Sequence, residues 1–209
     1  MKQFLFTLIL AFAFTTTFCQ KKMMFGDTSR KGVPFSKDPH VIKFDGKYLM
    51  YFSIPPFADK SNPIQGWNIG IAKSTDLIHW EKVAEINPDG DYESKGLCAP
   101  CALVVDKKVH LFYQTYGNGR NDAICHAVSK NGISFLRNPT NPIFKPTGSW
   151  NCGRAIDAEV VQFDNQFLLY FATRDPDYKI QIQGVAAAPI TTNFNREDWE
   201  QLTDLPIMV

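Results

Sequence analysis

The sequence lacks an excess of charge of either sign. It has 22 Lys and Arg against 21 Asp and Glu, which gives a formal net charge of +1 and an isoelectric point near 7.6. A basic surface is what draws a protein to nucleic acid or to an anionic membrane, so this balance argues against both partners. Aromatic residues, in contrast, make up 13% of the chain. They suit β-structure, and their flat faces also suit contacts with sugar rings.

No apolar run is long enough to cross a bilayer, and no transmembrane segment is predicted. The apolar stretch Phe4–Phe14 follows a basic start at Lys2 and has the length of a signal-peptide core. We therefore predict a signal peptide over residues 1–19, cleavage before Gln20 and export to the periplasm or the extracellular space. The alternative is a lipid anchor on Cys19, although the preceding Thr-Thr-Phe is a poor lipobox.

Cysteine is scarce, with four residues after the predicted cleavage site: Cys98, Cys101, Cys125 and Cys152. Four cysteines allow three disulfide pairings, and an exported protein can form them. A zinc site is the other possibility, but only Cys98 and Cys101 have metal-like spacing. Buried free thiols or one disulfide are the favoured predictions.

A helical pattern is also missing, and a threefold repeat of short strands takes its place. The stretch Ala155–Asp175 predicts a β-hairpin, because its apolar runs are short, rich in Val, Phe and Tyr, and split by Asp-Asn-Gln. The same pattern occurs twice earlier. The equivalent turn residues are Asp45, Asp106 and Asp164, spaced 106 − 45 = 61 and 164 − 106 = 58. The predicted third strands align on Ala72, Ala127 and Ala186, and the aromatic residues near the fourth strands are Trp80, Phe135 and Trp199.

Three four-stranded antiparallel units in series predict an all-β protein of the β-propeller class. We expect the blades at about residues 34–87, 97–146 and 153–205, within one domain covering 20–209 and after a loose polar segment that ends near Val33. Propellers have about four to eight blades, so three do not close a ring. The expectation is a fragment of a longer protein. Self-association through open blade edges is the other way to complete the ring.

Two aspartates occupy the same place in the repeat. Asp38 lies seven residues before Asp45, and Asp157 lies seven residues before Asp164; the same offset gives Ala99 in the second unit. Inner strands of a propeller line its axis, so these two carboxylates should converge. Paired carboxylates are the catalytic groups of glycoside hydrolysis. The structural alternative is that each Asp caps the start of a strand.

Further candidates surround this pair. Two residues along each inner strand, on the same face, the repeat places His40, Cys101 and Glu159. We predict that His40 and Glu159 contact substrate. Arg174 and Asp175, which end the second strand of the third unit, and Trp67, in a loop near a blade edge, are predicted to bind sugar too. A surface ion pair for the first two and packing for Trp67 are the alternatives.

These residues resemble those of a known group of enzymes. Lys37-Asp38-Pro39-His40, followed by the turn at residues 45–48, is similar to the first blade of the five-bladed propeller glycoside hydrolases of family 43 and its relatives in families 32, 62, 68 and 117. The segment 155–157 resembles their third blade. The resemblance implies that Asp38 is a general base and that Asp157 tunes and orients the acid, itself a Glu in a fourth blade.

The resemblance leaves the stereochemistry open. Arg174-Asp175-Pro176 resembles the Arg-Asp-Pro motif of family 32, whose members retain configuration, whereas family 43 enzymes invert it. The sequence predicts a glycoside hydrolase, or the N-terminal part of one, acting on plant, algal or microbial oligosaccharides or polysaccharides. On its own the chain is expected to be inactive or nearly so. This chemistry requires no cofactor and leaves room for a structural calcium ion. The rival predictions are a non-catalytic carbohydrate-binding propeller and a structural module stapled through Cys98 and Cys101.

Overall fold

A computed structural model describes residues 25–209. The predicted signal peptide and Cys19 lie outside these residues. Between Phe25 and Val209 the regular structure consists of twelve strands and three single-turn 3₁₀ helices, at Asp91–Glu93, Gly119–Asn121 and Arg196–Asp198. None of the helices in this part of the chain is long and apolar enough to cross a membrane.

The strands form three four-stranded antiparallel sheets, each with its strands in chain order. The first sheet contains β1 (Lys37–Phe44), β2 (Lys47–Ile54), β3 (Asn68–Ser74) and β4 (Glu81–Ile86). The second contains β5 (Leu97–Val105), β6 (Lys108–Thr115), β7 (Ile124–Ser129) and β8 (Leu136–Arg137). The third contains β9 (Ile156–Phe163), β10 (Gln166–Arg174), β11 (Gln181–Pro189) and β12 (Glu200–Gln201). The predicted class, a propeller of four-stranded antiparallel blades, is confirmed.

Tight hairpins join the first two strands of each blade, as the sequence predicts. The hairpin predicted in the stretch Ala155–Asp175 is β9 and β10, which pair from Gln166 with Phe163 onward. In the first blade, both turn residues, Asp45 and Gly46, have positive φ angles of 47° and 72°. A two-residue turn of this kind matches the right-handed twist of the flanking strands, which is why an Asp-Gly pair is a reliable hairpin signal.

The first strand of every blade carries the same distortion. Asp38, Ala99 and Asp157 have φ angles of 54°, 50° and 51°, in the left-handed region that side chains seldom adopt. The strand register shifts around each of these residues, which marks a β-bulge. The seven-residue offset in the sequence therefore reflects a backbone feature that is repeated in three blades.

The hydrophobic core lies between neighbouring blades. The alanines that align in the sequence, Ala72, Ala127 and Ala186, are fully buried in the third strands. A small side chain there lets one sheet approach the next closely. Two clusters fill the seams on either side of the second blade, and their largest buried members are Tyr51, Tyr113, Phe112, Phe167, Phe171 and Phe194. Stacked sheets bury faces that a single blade would leave in water.

The prediction of a loose segment up to Val33 is wrong for the described part, residues 25–33. Asp27 and Arg30 are 6% and 3% exposed. They form ion pairs with Lys82 and Glu85 on the fourth strand of the first blade. Burial of both charges is tolerated because each has an opposite charge within contact. The paired residues are 55 positions apart in the sequence, so a local sequence pattern does not reveal the pairing.

Polar contacts lock the seam between the first and second blades. The Tyr51 hydroxyl donates a hydrogen bond of 2.9 Å to the Gly132 carbonyl oxygen. A Cβ atom on Gly132, whose φ angle is 71°, would lie 2.3 Å from Cδ1 of Leu49, so the close approach requires glycine. Nearby, the fully buried Glu93 carboxylate accepts hydrogen bonds from the Tyr113 hydroxyl and, at 3.0 Å, from Arg137.

Two histidines are packed inside the second blade. The imidazoles of His110 and His126 stack with an interplanar angle of 8°, and His110 Nδ1 lies 3.0 Å from His126 Nε2. Phe194 from the third blade covers both rings. Burial lowers the pKa of His110 to about 4 and that of His126 to about 3, since a charged imidazole would lose its hydration. Both rings are therefore neutral near pH 7.

Candidate functional site

The bulged residues Asp38 and Asp157 form the candidate site, at the same level of the inner strands of the first and third blades. The pKa of Asp157 is raised, first because the surrounding protein limits its hydration and second because the Asp38 charge is near. Lys37 and Arg154 act in the opposite direction. The Asp157 residue remains exposed, so a ligand can reach its carboxylate. The effect of Asp38 on the pKa of Asp157 agrees with the predicted convergence of the two aspartates, and their role as a catalytic pair stays a prediction.

Two neighbouring side chains contact the Asp38 carboxyl group. Its Oδ2 atom lies 3.1 Å from the Lys37 ammonium and accepts a hydrogen bond of 2.9 Å from the Ser53 hydroxyl. The Asp38 side chain keeps 35% of its exposure. Both contacts are made by Oδ2, and neither involves the other carboxyl oxygen. Asp38 can therefore act as a base or a nucleophile.

Side chains from the preceding blade fix the two bulges behind the site. Ser53 Oγ accepts a hydrogen bond of 2.8 Å from the backbone N–H of Ala99, and Gln114 Oε1 accepts one of 2.7 Å from the N–H of Asp157. Sequence reasoning missed both residues. A signal existed, because each is a polar residue near the end of an apolar second strand, eight residues after the turn aspartate, since 53 − 45 and 114 − 106 are both 8.

Aromatic side chains lie beside Asp38. Lys37 Nζ lies 4.7 Å from the ring centre of Trp67 and 5.7 Å from that of Tyr116. The two rings meet edge to face at 5.9 Å, and Phe35 lies 6.0 Å from Trp67. Trp67 is half-buried. Lys37 thus contacts both Trp67 and Asp38, and an aromatic ring at this position can contact a sugar.

Buried ionisable groups support the floor of the site. Cys98 is 1% exposed, and burial raises the pKa of its thiol to about 12; Lys37, Asp38 and Asp157 all act on it electrostatically. Asp122 is also buried, its pKa is raised by that burial, and its carboxylate lies 3.4 Å from Arg154. These residues were not predicted as site members. Their signal is weak, because they come from different blades and share no local pattern.

Arg174 and Asp175 are engaged in their own loop. Asp175 Oδ1 accepts hydrogen bonds of 2.6 and 2.7 Å from the N–H groups of Lys179 and Ile180. Arg174 donates to the Tyr178 carbonyl oxygen at 3.3 Å, and its guanidinium lies 5.0 Å from the Tyr178 ring. No ion pair joins the two in the part of the chain that the structure describes. Their role in sugar binding stays a prediction, and neither shares a contact with Asp38 or Asp157.

The residues that follow the bulged positions by two, namely His40, Cys101 and Glu159, form a separate layer. His40 Nδ1 lies 3.9 Å from Glu159 Oε2, and the Cys101 sulfur, which is 1% exposed, completes a group whose ligand atoms all lie within 4.8 Å of one another. The register argument correctly placed these three together. The four cysteines of the described residues are free, so Cys98 and Cys101 do not bridge. Cys98 lies near Asp38 and Asp157, whereas Cys101 lies near His40 and Glu159.

This arrangement defines a class of protein: a β-propeller whose axis carries two carboxylates of the kind used in glycoside hydrolysis. Comparison with known proteins agrees. Residues 34–184 match the glycosyl hydrolases family 32 N-terminal domain, and the chain belongs to that family.

Individual relatives are more distant. The sucrose-6-phosphate hydrolase of Zymomonas mobilis is 28% identical over 171 residues, which cover 78% of this chain and 32% of the relative. The solved GH32 β-fructofuranosidase of Bombyx mori superposes with a TM-score of 0.62 at 19% identity, over 80% of this chain and 34% of the other. A family 117 glycoside hydrolase of Zobellia galactanivorans gives 0.63 at 20% identity, over 83% and 57%. The chain thus spans about a third of the length of the curated relative.

Proposed function

We propose that this chain supplies the Asp38–Asp157 carboxylate pair of a glycoside hydrolase active site. One observation carries the proposal: both aspartates stand on the same left-handed bulge in the first strand of their blades, and the Asp38 charge acts on the Asp157 carboxyl group. The second blade has Ala99 on the same bulge, so the two carboxylates, and not the backbone conformation, distinguish this site. If each aspartate only capped the start of its strand, the two would have no need to lie close together. Burial and then the Asp38 charge nevertheless raise the pKa of Asp157.

The surroundings of the two aspartates suggest different roles. Asp38, which is oriented by its contacts with Lys37 and Ser53, is the group that attacks the anomeric carbon. Family 32 enzymes retain configuration, and retention proceeds through a covalent glycosyl–carboxylate intermediate. Asp157, with its raised pKa, is suited to hydrogen-bond a sugar hydroxyl and to stabilise the charge that develops on the ring. The resemblance assigns the general acid to a fourth blade, and the described residues form three.

The substrate class follows from the relatives. A sucrose-6-phosphate hydrolase acts on a fructose-containing disaccharide, so we propose a β-fructofuranoside as the substrate of the site. The wall of Trp67 and Tyr116 next to Asp38 would contact the apolar face of such a sugar. The chain has a net charge of only +1, so its overall charge does not favour an anionic substrate over a neutral one.

Two substrates distinguish attack by Asp38 from protonation of the leaving group, because only one of them needs a general acid. An aryl β-fructofuranoside with a good leaving group needs no acid, so the purified chain should cleave it slowly but measurably. Sucrose should react about two to four orders of magnitude more slowly than with an ordinary enzyme, which is the typical contribution of general acid catalysis. In an Asp38→Asn variant, aryl fructoside cleavage should fall at least about a hundredfold.

Asp106→Asn is the matched control. Asp106 has the same left-handed backbone, with φ 48°, but it lies in a hairpin turn outside the site. Its variant should keep the rate of the unchanged chain. Equal rates for the Asp38→Asn and Asp106→Asn variants would contradict the proposal, and so would rapid sucrose turnover by the monomeric chain.

We also propose that the chain is exported and that open blade edges can associate. Support for export comes from the pattern of residues 1–19, and an intact mass of secreted protein that begins at Gln20 would test it. Support for association comes from the three-blade arrangement, because a propeller blade ordinarily has a neighbour on each face. Sedimentation at increasing concentration tests this, and a monomer at all concentrations would contradict it.

A further inference from the structure

A second set of side chains lies on the axis below the aspartates. It consists of His40 on β1, Cys101 on β5 and Glu159 on β9, one residue from each blade. Each lies two positions beyond the bulged residue of its strand. Two residues along a strand correspond to about 7 Å, so this layer is distinct from the Asp38–Asp157 pair.

The ligand atoms of the three side chains converge on one another. The separation of 3.9 Å between His40 Nδ1 and Glu159 Oε2 is too long for a hydrogen bond. The Cys101 sulfur accepts a hydrogen bond of 3.4 Å from the Val160 N–H. The Glu159 carboxylate is close enough to the Cys101 thiol to interact with it by a hydrogen bond, whereas within residues 25–209 no side chain lies within hydrogen-bond distance of the His40 ring. One nitrogen, one sulfur and one oxygen therefore point at a common space.

We propose that His40, Cys101 and Glu159 bind a divalent transition metal ion of the zinc class. Zinc takes imidazole nitrogen at about 2.0 Å, carboxylate oxygen at about 2.0 Å and thiolate sulfur at about 2.3 Å. A tetrahedral site with these bond lengths needs ligand atoms about 3.3 to 3.6 Å apart. The ligand atoms lie within 4.8 Å of one another, so movements of about 1 Å would bring them to the separations of a zinc site. His40 and Glu159 can make such movements because their side chains are 25% and 55% exposed.

The donor set selects the metal. Calcium and magnesium take oxygen ligands, six or more for calcium, so a sulfur and a nitrogen donor exclude them here. A thiolate and a carboxylate neutralise the two positive charges of zinc, which suits a site with one fully buried ligand. Three protein ligands leave a fourth position for water. The ion would tie the inner strands of three blades together beneath the carboxylate pair.

The test uses Co²⁺ and Zn²⁺ on the purified full chain, after removal of adventitious metal with a chelator. Co²⁺ should produce the near-ultraviolet charge-transfer band of a thiolate ligand, and Zn²⁺ should abolish that band by displacement. Zn²⁺ affinity is measured by competition with a chromogenic chelator. The Cys101→Ser variant should lose the band, and its Zn²⁺ affinity should fall by at least about a hundredfold, since even residues that only support a ligand cost ten- to a hundredfold.

Cys98→Ser is the matched control. Cys98 lies on the same strand and is 1% exposed, as is Cys101, but it belongs to the upper layer. Its variant should keep the band and the affinity. The Cys101→Ser variant could lose zinc binding through misfolding, so Glu159→Gln serves as a second test at a largely exposed side chain. Glu159→Gln should weaken Zn²⁺ binding at least about tenfold. Its melting temperature in the presence of the chelator should equal that of the unchanged chain.

Two results would overturn the proposal. One is a chain in which Co²⁺ gives no thiolate band. The other is a band that disappears in Cys98→Ser but persists in Cys101→Ser and Glu159→Gln, because this would place the metal in the carboxylate layer. Neither result depends on sugar hydrolysis.

Discussion

Ser53 joins the first blade to the second and holds Asp38 at the same time. The side chain is fully buried. Its hydroxyl donates to Asp38 Oδ2 at 2.9 Å and accepts from the Ala99 N–H at 2.8 Å. In a Ser53→Ala variant, the Ala99 N–H loses its partner in a residue that is 8% exposed. A buried donor without an acceptor costs about 1 to 3 kcal/mol.

The lost contact with Asp38 adds to this cost. A hydrogen bond to a charged group contributes about 1.5 to 3 kcal/mol, and we take the lower end because the Asp38 side chain is 35% exposed. The free energy of unfolding should therefore fall by about 3 kcal/mol in total, measured as the midpoint of urea unfolding at constant slope. Ser53→Ala should also weaken the aryl fructoside activity, since the carboxylate loses a fixed neighbour.

A double-mutant cycle separates the two contributions. In an Asp38→Ala background only the contact with Ala99 remains, so Ser53→Ala should cost about 1.5 kcal/mol less than in the unchanged chain. The reasoning is refuted if Ser53→Ala costs less than about 1 kcal/mol in both backgrounds, because the buried Ala99 N–H alone should exceed that value.

Three further perturbations probe the seams between the blades. Gly132→Ala should lower the free energy of unfolding by about 2 kcal/mol or more, from left-handed backbone strain and a clash with the neighbouring blade; a melting temperature equal to that of the unchanged chain would contradict it. Glu93→Gln should cost about 3 kcal/mol, because Arg137 is left without its counter-charge in a buried position; a loss below 1 kcal/mol in urea unfolding would argue against this pair. The pKa values of His110 and His126 are lowered by burial to about 4 and about 3, so the unfolded chain binds more protons below pH 6.5. Stability should fall as the pH drops from 6.5, by about 2 kcal/mol for each histidine at pH 5, whereas equal urea midpoints at pH 7 and pH 5 would refute this.

The repeat could be predicted because its signals are local. A turn aspartate, an alternating strand and a small third-strand residue recur within each blade, so Asp45, Asp106 and Asp164 fix the register of their own hairpins. Equal offsets from these turns then place Asp38 and Asp157 at equivalent positions. The periodicity of one strand is sufficient for that inference.

Contacts between blades could not be predicted from such signals. Ser53 and Ala99 are 46 residues apart and Gln114 and Asp157 are 43 apart, and neither pair shares a periodic pattern. The docking of residues 25–33 on the first blade depends on Asp27 and Lys82, which are 55 residues apart. The positive φ angles at the bulges do not follow from the alternation of a strand, because a bulge interrupts that alternation.

The most direct test of the central claim, that Asp38 and Asp157 form one interacting carboxylate pair, is the titration of the Asp157 side-chain carboxyl by carbon-13 NMR, in the unchanged chain and in Asp38→Asn. The account predicts a pKa of Asp157 above its ordinary value of 3.8. In the variant this pKa should fall, because the charge of Asp38 is removed while Lys37 and Arg154 still favour the ionised form. A pKa of Asp157 that is ordinary, or that does not change in Asp38→Asn, would contradict the account.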